Sequence, residues 1–177
     1  MTDPIHVWSG ASHHGAFQCG GWACLRLING QVTGFAGGER RTTPGRMALA
    51  GLAAALRELP AVGNPGAGEV VIETDSPELI TVAGLLTGSR RAGGEGPSES
   101  PEADLDLWAR ILVGAKGRRL RFVRAPLTPE TPTAFVAAWA EVAMNKAKSS
   151  GPFSAAIPRP NLAKVAGLPR AGGALNS

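Results

Sequence analysis

The residues best suited to chemistry stand in two short stretches. The first is RRTTPGRMALAGLAAAL, residues 40–56. Arg40, Arg41 and Arg46 surround Thr42 and Thr43, just ahead of a run from Met47 to Leu56 with no charged side chain. Thr43 or Thr42 before Pro44 reads as a helix cap and first turn. The free N–H groups of a helix start, with guanidinium groups beside them, suit a phosphate. The second is VVIETDSPEL, residues 70–79, where Glu73 and Asp75 stand two apart. On a strand both point the same way. With a histidine from the adjacent pair His13 and His14 they could hold one divalent cation, because a hard cation such as Mg²⁺ or Mn²⁺ takes oxygen ligands. Each feature also has a plainer reading. Thr43 would only cap its helix, Asp75 or Ser76 would cap the next one, and the two histidines would be solvated.

Further cations crowd elsewhere. Lys116, Arg118, Arg119, Arg121 and Arg124 fall in one segment, with Arg119 and Arg121 on one face of a strand. That face suits either nucleic acid or a strand edge guarded by charge. No acidic residue follows Glu141, while Lys146, Lys148, Arg159, Lys164 and Arg170 do. The net charge of +4 over 177 residues permits a polyanionic partner without demanding one.

The elements that must position these residues come from pattern. Ile5–Ser9 reads as a strand, followed by a Gly- and His-containing connection, GASHHGAFQCGG. WACLRL and QVTGFAG flank Asn29-Gly30, the strongest short hairpin signal. Leu49, Leu52, Leu56 and Leu59 form one helical stripe that Pro60 stops. EVVIETD is a fourth strand, its continuous apolar centre suited to cover on both faces. Three more helices are expected, over DSPELITVAGLL, DLDLWARILVGAKG and TPETPTAFVAAWAEVAMNKAK, with RRLRFVRA a fifth strand before the last. The order gives an α/β fold: a mixed five-stranded sheet with helices on both faces, βββαβαβα with an extra helix. One domain is expected over 1–149, interrupted by a mobile loop at 88–103 that is low in hydrophobics and rich in Gly, Ser and Glu. Residues 150–177 read as a flexible basic tail. Trp8, Trp22, Trp108 and Trp139 fall inside elements and read as core. Cys19 and Cys24, five apart, face opposite ways and are not expected to pair. No secretory leader or apolar run long enough to span a membrane is visible, so a cytoplasmic protein is expected.

With that order in place, three segments together resemble the ribonuclease H type 1 family. They are TTPGRMALAGLAAAL, VVIETDS, and DLDLWARI with the basic strand RRLRFVR after it. The resemblance covers Ile5 to Lys148 and implies an RNase H-like fold. It also implies cleavage of the RNA strand of an RNA–DNA hybrid by two divalent cations about 4 Å apart, held by four carboxylates. On the family's pattern those positions fall on Ser9, Ala48, Asp75 and Ala140, and only Asp75 is a carboxylate. Glu141 stands beside Ala140 but turns about 100° around its helix. Pro126 falls near the place of a histidine that helps product leave. One carboxylate cannot cage two cations, so no cofactor is expected, and Mg²⁺ or Mn²⁺ only if the protein is active. The family's phosphate contacts imply nucleic-acid-binding roles for Thr43 and Arg46, joined here by Arg119 and Arg121. The expectation is a catalytically degenerate protein that binds RNA–DNA hybrid or duplex without cleaving it. Two alternatives stand beside it. One is an active ribonuclease H with a metal site rearranged onto Asp75 and Glu73. The other is a protein-interaction scaffold docking on a neutral face made by Ser9, Ala48 and Ala140.

Overall fold

The computed structural model describes residues 3–86 and 104–169. The expected loop at 88–103 and the last part of the expected tail, 170–177, lie outside them. The chain opens with a meander of β1 (Ile5–His14), β2 (Cys19–Ile28) and β3 (Gln31–Arg40). Asn29 and Gly30 take φ 50° and 76°, the positive values their two-residue turn needs, and Ile28 pairs with Gln31 across it. Next come α1 (Pro44–Leu56), β4 (Glu69–Thr74), α2 (Pro77–Leu86), α3 (Leu105–Ala115), β5 (Arg119–Arg124) and α4 (Pro132–Ser150). β6 (Phe153–Ala156) and α5 (Arg159–Leu162) complete the described chain.

The sheet has order β5-β4-β1-β2-β3-β6. β4 runs parallel to both β1 and β5, and the other pairs are antiparallel. Strand alternation sends Val7, Cys24, Val70 and Ile72 to one face, where Met47, Leu52 and Leu56 of α1, Leu79 of α2 and Ile111 of α3 cover them. Trp8, Ala23 and Leu25 go to the other, under Val136, Ala140 and Ala143 of α4. Trp8 and Trp22 are buried, and Trp108 and Trp139 pack partly buried against these clusters. Both cysteines are buried and free, and burial pushes the Cys24 thiol up to about 12.

Three expectations are corrected. The connection GASHHGAFQCGG is mostly strand: β1 runs on to His14 and β2 begins at Cys19, leaving a turn at 15–18. Gly20 and Gly21 serve close packing. A Cβ at Gly20 would stand 2.5 Å from Met47 Cγ, and one at Gly21 would collide with the Ala140 carbonyl oxygen and the Met144 amide. Glycine here lets both helices approach the sheet. The sheet has six strands rather than five, because the expected tail supplies β6. Gly151, at φ 90°, turns the chain out of α4, and Phe153 then pairs with Gly38 and Ala156 with Phe35. Nor is the rest of the described tail free of the core: Ile157 is buried, and Leu162, Val165 and Leu168 pack against the α4-side cluster. These apolar residues are spaced without a helical or strand period, which is why the segment reads as unstructured in sequence.

Candidate functional site

Asp75 leaves the end of β4 at a firmly held corner. The buried Thr74 hydroxyl donates to the Ser9 carbonyl at 2.8 Å and accepts the Ser76 N–H at 3.0 Å, and the Ala125 N–H donates to the Thr74 carbonyl at 2.9 Å. Ser76, not Asp75, caps α2: its Oγ accepts the Leu79 N–H at 3.3 Å and donates to Glu78 at 2.9 Å. Asp75 is therefore a half-buried carboxyl without a capping duty. Burial, and then repulsion from Glu78, raises its pKa above the ordinary carboxylate value, partly opposed by its own backbone N–H. Glu73 is already engaged, accepting the Trp8 indole N–H at 3.1 Å.

The other family positions do not gather around Asp75. Ser9 is fully buried on the α1 side, its hydroxyl without a hydrogen-bond partner among the described residues and close to Gly51. Ala140 is fully buried on the opposite side, with Trp8 and Ala23. The sheet separates the two. A one-residue shift along a strand changes the face, and that is the source of the discrepancy: Gly10, not Ser9, shares Trp8's face. Trp8 pairs with Glu73, so continuing the parallel register by two residues sets Gly10 level with Asp75. A Cβ on Gly10 would lie 3.3 Å from Val136 Cγ2 and from the Ala137 amide of α4. The positions facing this corner are thus Gly10 and Val136, neither an oxygen donor. The signal that could have found Gly10 is the core tryptophan two residues before it. Ala48 is also buried, so Ser9, Ala48 and Ala140 present no exposed face to a partner.

His13 and His14 lie on β1 rather than in a loop. His13 Nε2 is 2.8 Å from the Thr42 carbonyl, and the His14 ring stands 4.8 Å from that of Phe17. Among the described residues, no three His, Cys, Asp or Glu side chains come together in a way that could hold a metal ion.

At the α1 start the arrangement is the reverse. Thr43 is the N-cap, its hydroxyl accepting the Arg46 N–H at 3.1 Å. The Arg46 guanidinium is taken up by three carboxylates: Nε donates to Glu39 at 2.8 Å, Nη1 to Asp104 at 2.9 Å, and Nη1 and Nη2 to Asp106 at 3.0 Å each. The hydrogen bonds it donates to Asp106 and Glu39 hold Arg46 still more firmly in its charged form, and Arg46 in turn lowers the Asp106 carboxyl below its usual range. The cluster ties β3, α1 and the start of α3 together. Asp104 and Asp106 stand 58 and 60 residues from Arg46, so no local spacing in the sequence connects them to it; Glu39, seven residues away, lies on the preceding strand.

The basic segment divides. Arg118 is structural, donating to the carbonyls of Gly114 (3.0 Å), Pro60 (2.6 Å) and Ala67. Leu120 and Phe122 pack toward the α1-side cluster, so Arg119 and Arg121 do share the other face of β5. Arg121 stands 3.7 Å from Glu69, both well exposed, a pair of little energetic weight. Neither residue is brought to Asp75 or to Arg46 by a described hydrogen bond or ion pair.

A mixed sheet begun by an antiparallel meander, with α1–α3 on one face and α4 on the other, defines a ribonuclease H-like fold. Solved structures agree. The N-terminal RNase H domain of a Mycobacterium tuberculosis protein, solved as a fusion with maltose-binding protein, superposes with TM-score 0.62 at 18% identity, over 84% of this chain and 99% of that one. LC11-RNase H1, crystallised with an RNA/DNA hybrid, gives 0.58 at 19% over 81% and 98%. No family model matches the chain. Among curated proteins, ribonuclease H of Gluconobacter oxydans is 36% identical over 115 residues, 63% of this chain and 72% of the relative. Ribonuclease H of Granulibacter bethesdensis is 33% identical over 123 residues, 68% and 79%. The chain belongs to the ribonuclease H family. None of its described helices is long and apolar enough to cross a membrane.

Proposed function

We propose that this chain is a ribonuclease H-fold protein that binds nucleic acid, an RNA–DNA hybrid or duplex, without cleaving it. The observation that carries the reading is the composition of the corner around Asp75. Cleavage by the family's route needs enough carboxylates to offset two divalent cations. Here Asp75 is level with Gly10, near Val136, and Glu73 is bound to Trp8. That donor set does not fit a two-cation site, and a single carboxylate would leave most of the coordination to water. The binding half of the reading draws on family membership, on the hybrid bound by LC11-RNase H1, and on a cationic surface. Exposed Arg41, Arg119, Arg121, Arg124 and Lys148 are among the groups available to phosphates, whereas Arg46 is saturated by its own carboxylates. The test is fluorescence anisotropy of a labelled RNA–DNA hybrid at rising salt, in Mg²⁺, with strand integrity read from the same samples. Binding that weakens steeply with salt over an intact RNA strand is expected. No binding at low salt would defeat the binding half, and RNA cleavage that depends on Asp75 the other half.

A further inference from the structure

Beyond Gly10, three segments converge on one corner of the sheet: the β1–β2 turn at 15–18, the β3–α1 loop at 41–43, and the last turn of α4. They are fastened to one another. The Thr42 N–H donates to the Gln18 carbonyl at 2.9 Å, and His13 Nε2 reaches the Thr42 carbonyl. Arg40 donates through Nε to the Ala147 carbonyl at 3.0 Å and through Nη2 to the Lys148 carbonyl at 2.8 Å, satisfying the open end of α4. Arg40 thereby fixes the base of Lys148, whose Nζ stands 3.5 Å from the centroid of the Phe17 ring. The His14 ring flanks the same phenylalanine, tilted by 51°. Yet Phe17 is 57% exposed, a large apolar ring at the tip of a turn. Arg41 precedes Thr42, whose N–H is tied to the residue after Phe17; it is exposed and held at φ 52°, a conformation that arginine seldom adopts. Residues 11–20, 40–46 and 143–150 contain no acid.

We propose that this corner is a seat for single-stranded polynucleotide, with a base stacked on Phe17 and the flanking phosphates on Arg41 and Lys148. The inference rests on the reading above in taking nucleic acid as the partner, and adds the place and the strand form. The strand form follows from the chemistry. A side-chain ring can stack only on a base that has left its own stack, so an exposed ring among cations favours an unpaired strand over a duplex. An acidic peptide would use the cations and leave the ring without a role. The backbone ties matter because stacking gains most from a ring that is already positioned.

The experiment measures anisotropy of a labelled single-stranded oligonucleotide, and of the matching RNA–DNA hybrid, with the full chain. Phe17→Ala is expected to weaken single-strand binding about tenfold, and Phe17→Trp to retain it. Arg41→Gln and Lys148→Gln should each lower the salt slope by about one. Gln31→Ala, exposed at the β2–β3 turn and at the opposite end of β2 from this corner, should leave single-strand binding unchanged. If the chain binds the oligonucleotide but Phe17→Ala binds equally well, the seat is refuted while nucleic-acid binding stands. If it binds neither nucleic acid, both readings fall together. Displacement of the oligonucleotide by polyglutamate as effectively as by unlabelled oligonucleotide would mean a general polyanion surface and would also overturn the seat.

Discussion

Asp75 and Arg46 occupy opposite situations in one fold. Asp75 is a half-buried carboxyl that no cation among the described residues neutralises, and its pKa is raised. Arg46 is a cation held by three carboxylates, one from the preceding strand and two from the distant start of α3. In a metal-dependent nuclease site the acids gather where the chemistry is. Here three acids gather around an arginine instead, and the corner that would need them has glycine and valine. The contrast shows that charge in this chain is spent on holding α3 to α1 and β3, with Asp75 left out of that network.

The largest effect is expected where a carboxylate is added back. Ala48→Glu places a charge in a fully covered position of α1, with no oxygen-binding partner set to receive it. It should cost about 3–4 kcal/mol in chemical denaturation, and no nuclease activity should appear, because Gly10 and Val136 are unchanged. Next comes Arg46→Ala, which leaves Glu39, Asp104 and Asp106 facing one another. Breaking a buried pair costs about 3–5 kcal/mol, and the partial exposure here reduces the expectation to about 2 kcal/mol. A loss under about 0.5 kcal/mol would mean that the cluster is surface decoration.

Acid should loosen the same cluster. The folded-state pKa of Asp106 lies below its unfolded value, so between the two the unfolded chain binds more protons. Stability from this group is present above the ordinary carboxylate range and is lost as pH falls through the lowered value. Asp106→Asn should flatten that part of the stability–pH curve, with a cost near neutrality of about 0.5 kcal/mol for so exposed a group. Asp75 works in the opposite sense. Its folded pKa is raised, so the native state binds the extra proton, and stability declines as pH rises through that window. Asp75→Asn should therefore be neutral or slightly stabilising at pH 7, by no more than about 1 kcal/mol after solvent screening. A clear loss would show that Asp75 has a structural partner after all.

Most of the fold was legible because its signals are local. Asn29-Gly30 announced the hairpin, Thr43-Pro44 the start of α1, and Val70 to Ile72 a strand covered on both faces. What was hidden depends on long-range packing. Gly20 and Gly21 look like strand breakers until α1 and α4 are placed against them. Ile157, Leu162, Val165 and Leu168 gain their meaning only from the sheet face they cover. The site suffered most, because it depends on which face a residue takes. Assigning the first-strand position to Ser9 instead of Gly10 moved it through the sheet, whereas Ala140 in place of Val136 kept the right face of α4 and slipped one turn along it. The missing carboxylates survive that correction, since neither replacement position carries one. Two of the three partners of Arg46 were not legible: no local spacing connects residue 46 to residues 104 and 106.

Whether this chain cleaves RNA is read directly by incubating it with an end-labelled RNA–DNA hybrid in Mg²⁺ and, separately, in Mn²⁺, alongside its Asp75→Asn variant. Intact RNA is expected in every lane. Specific cleavage by the unmodified chain that disappears in Asp75→Asn would contradict that expectation.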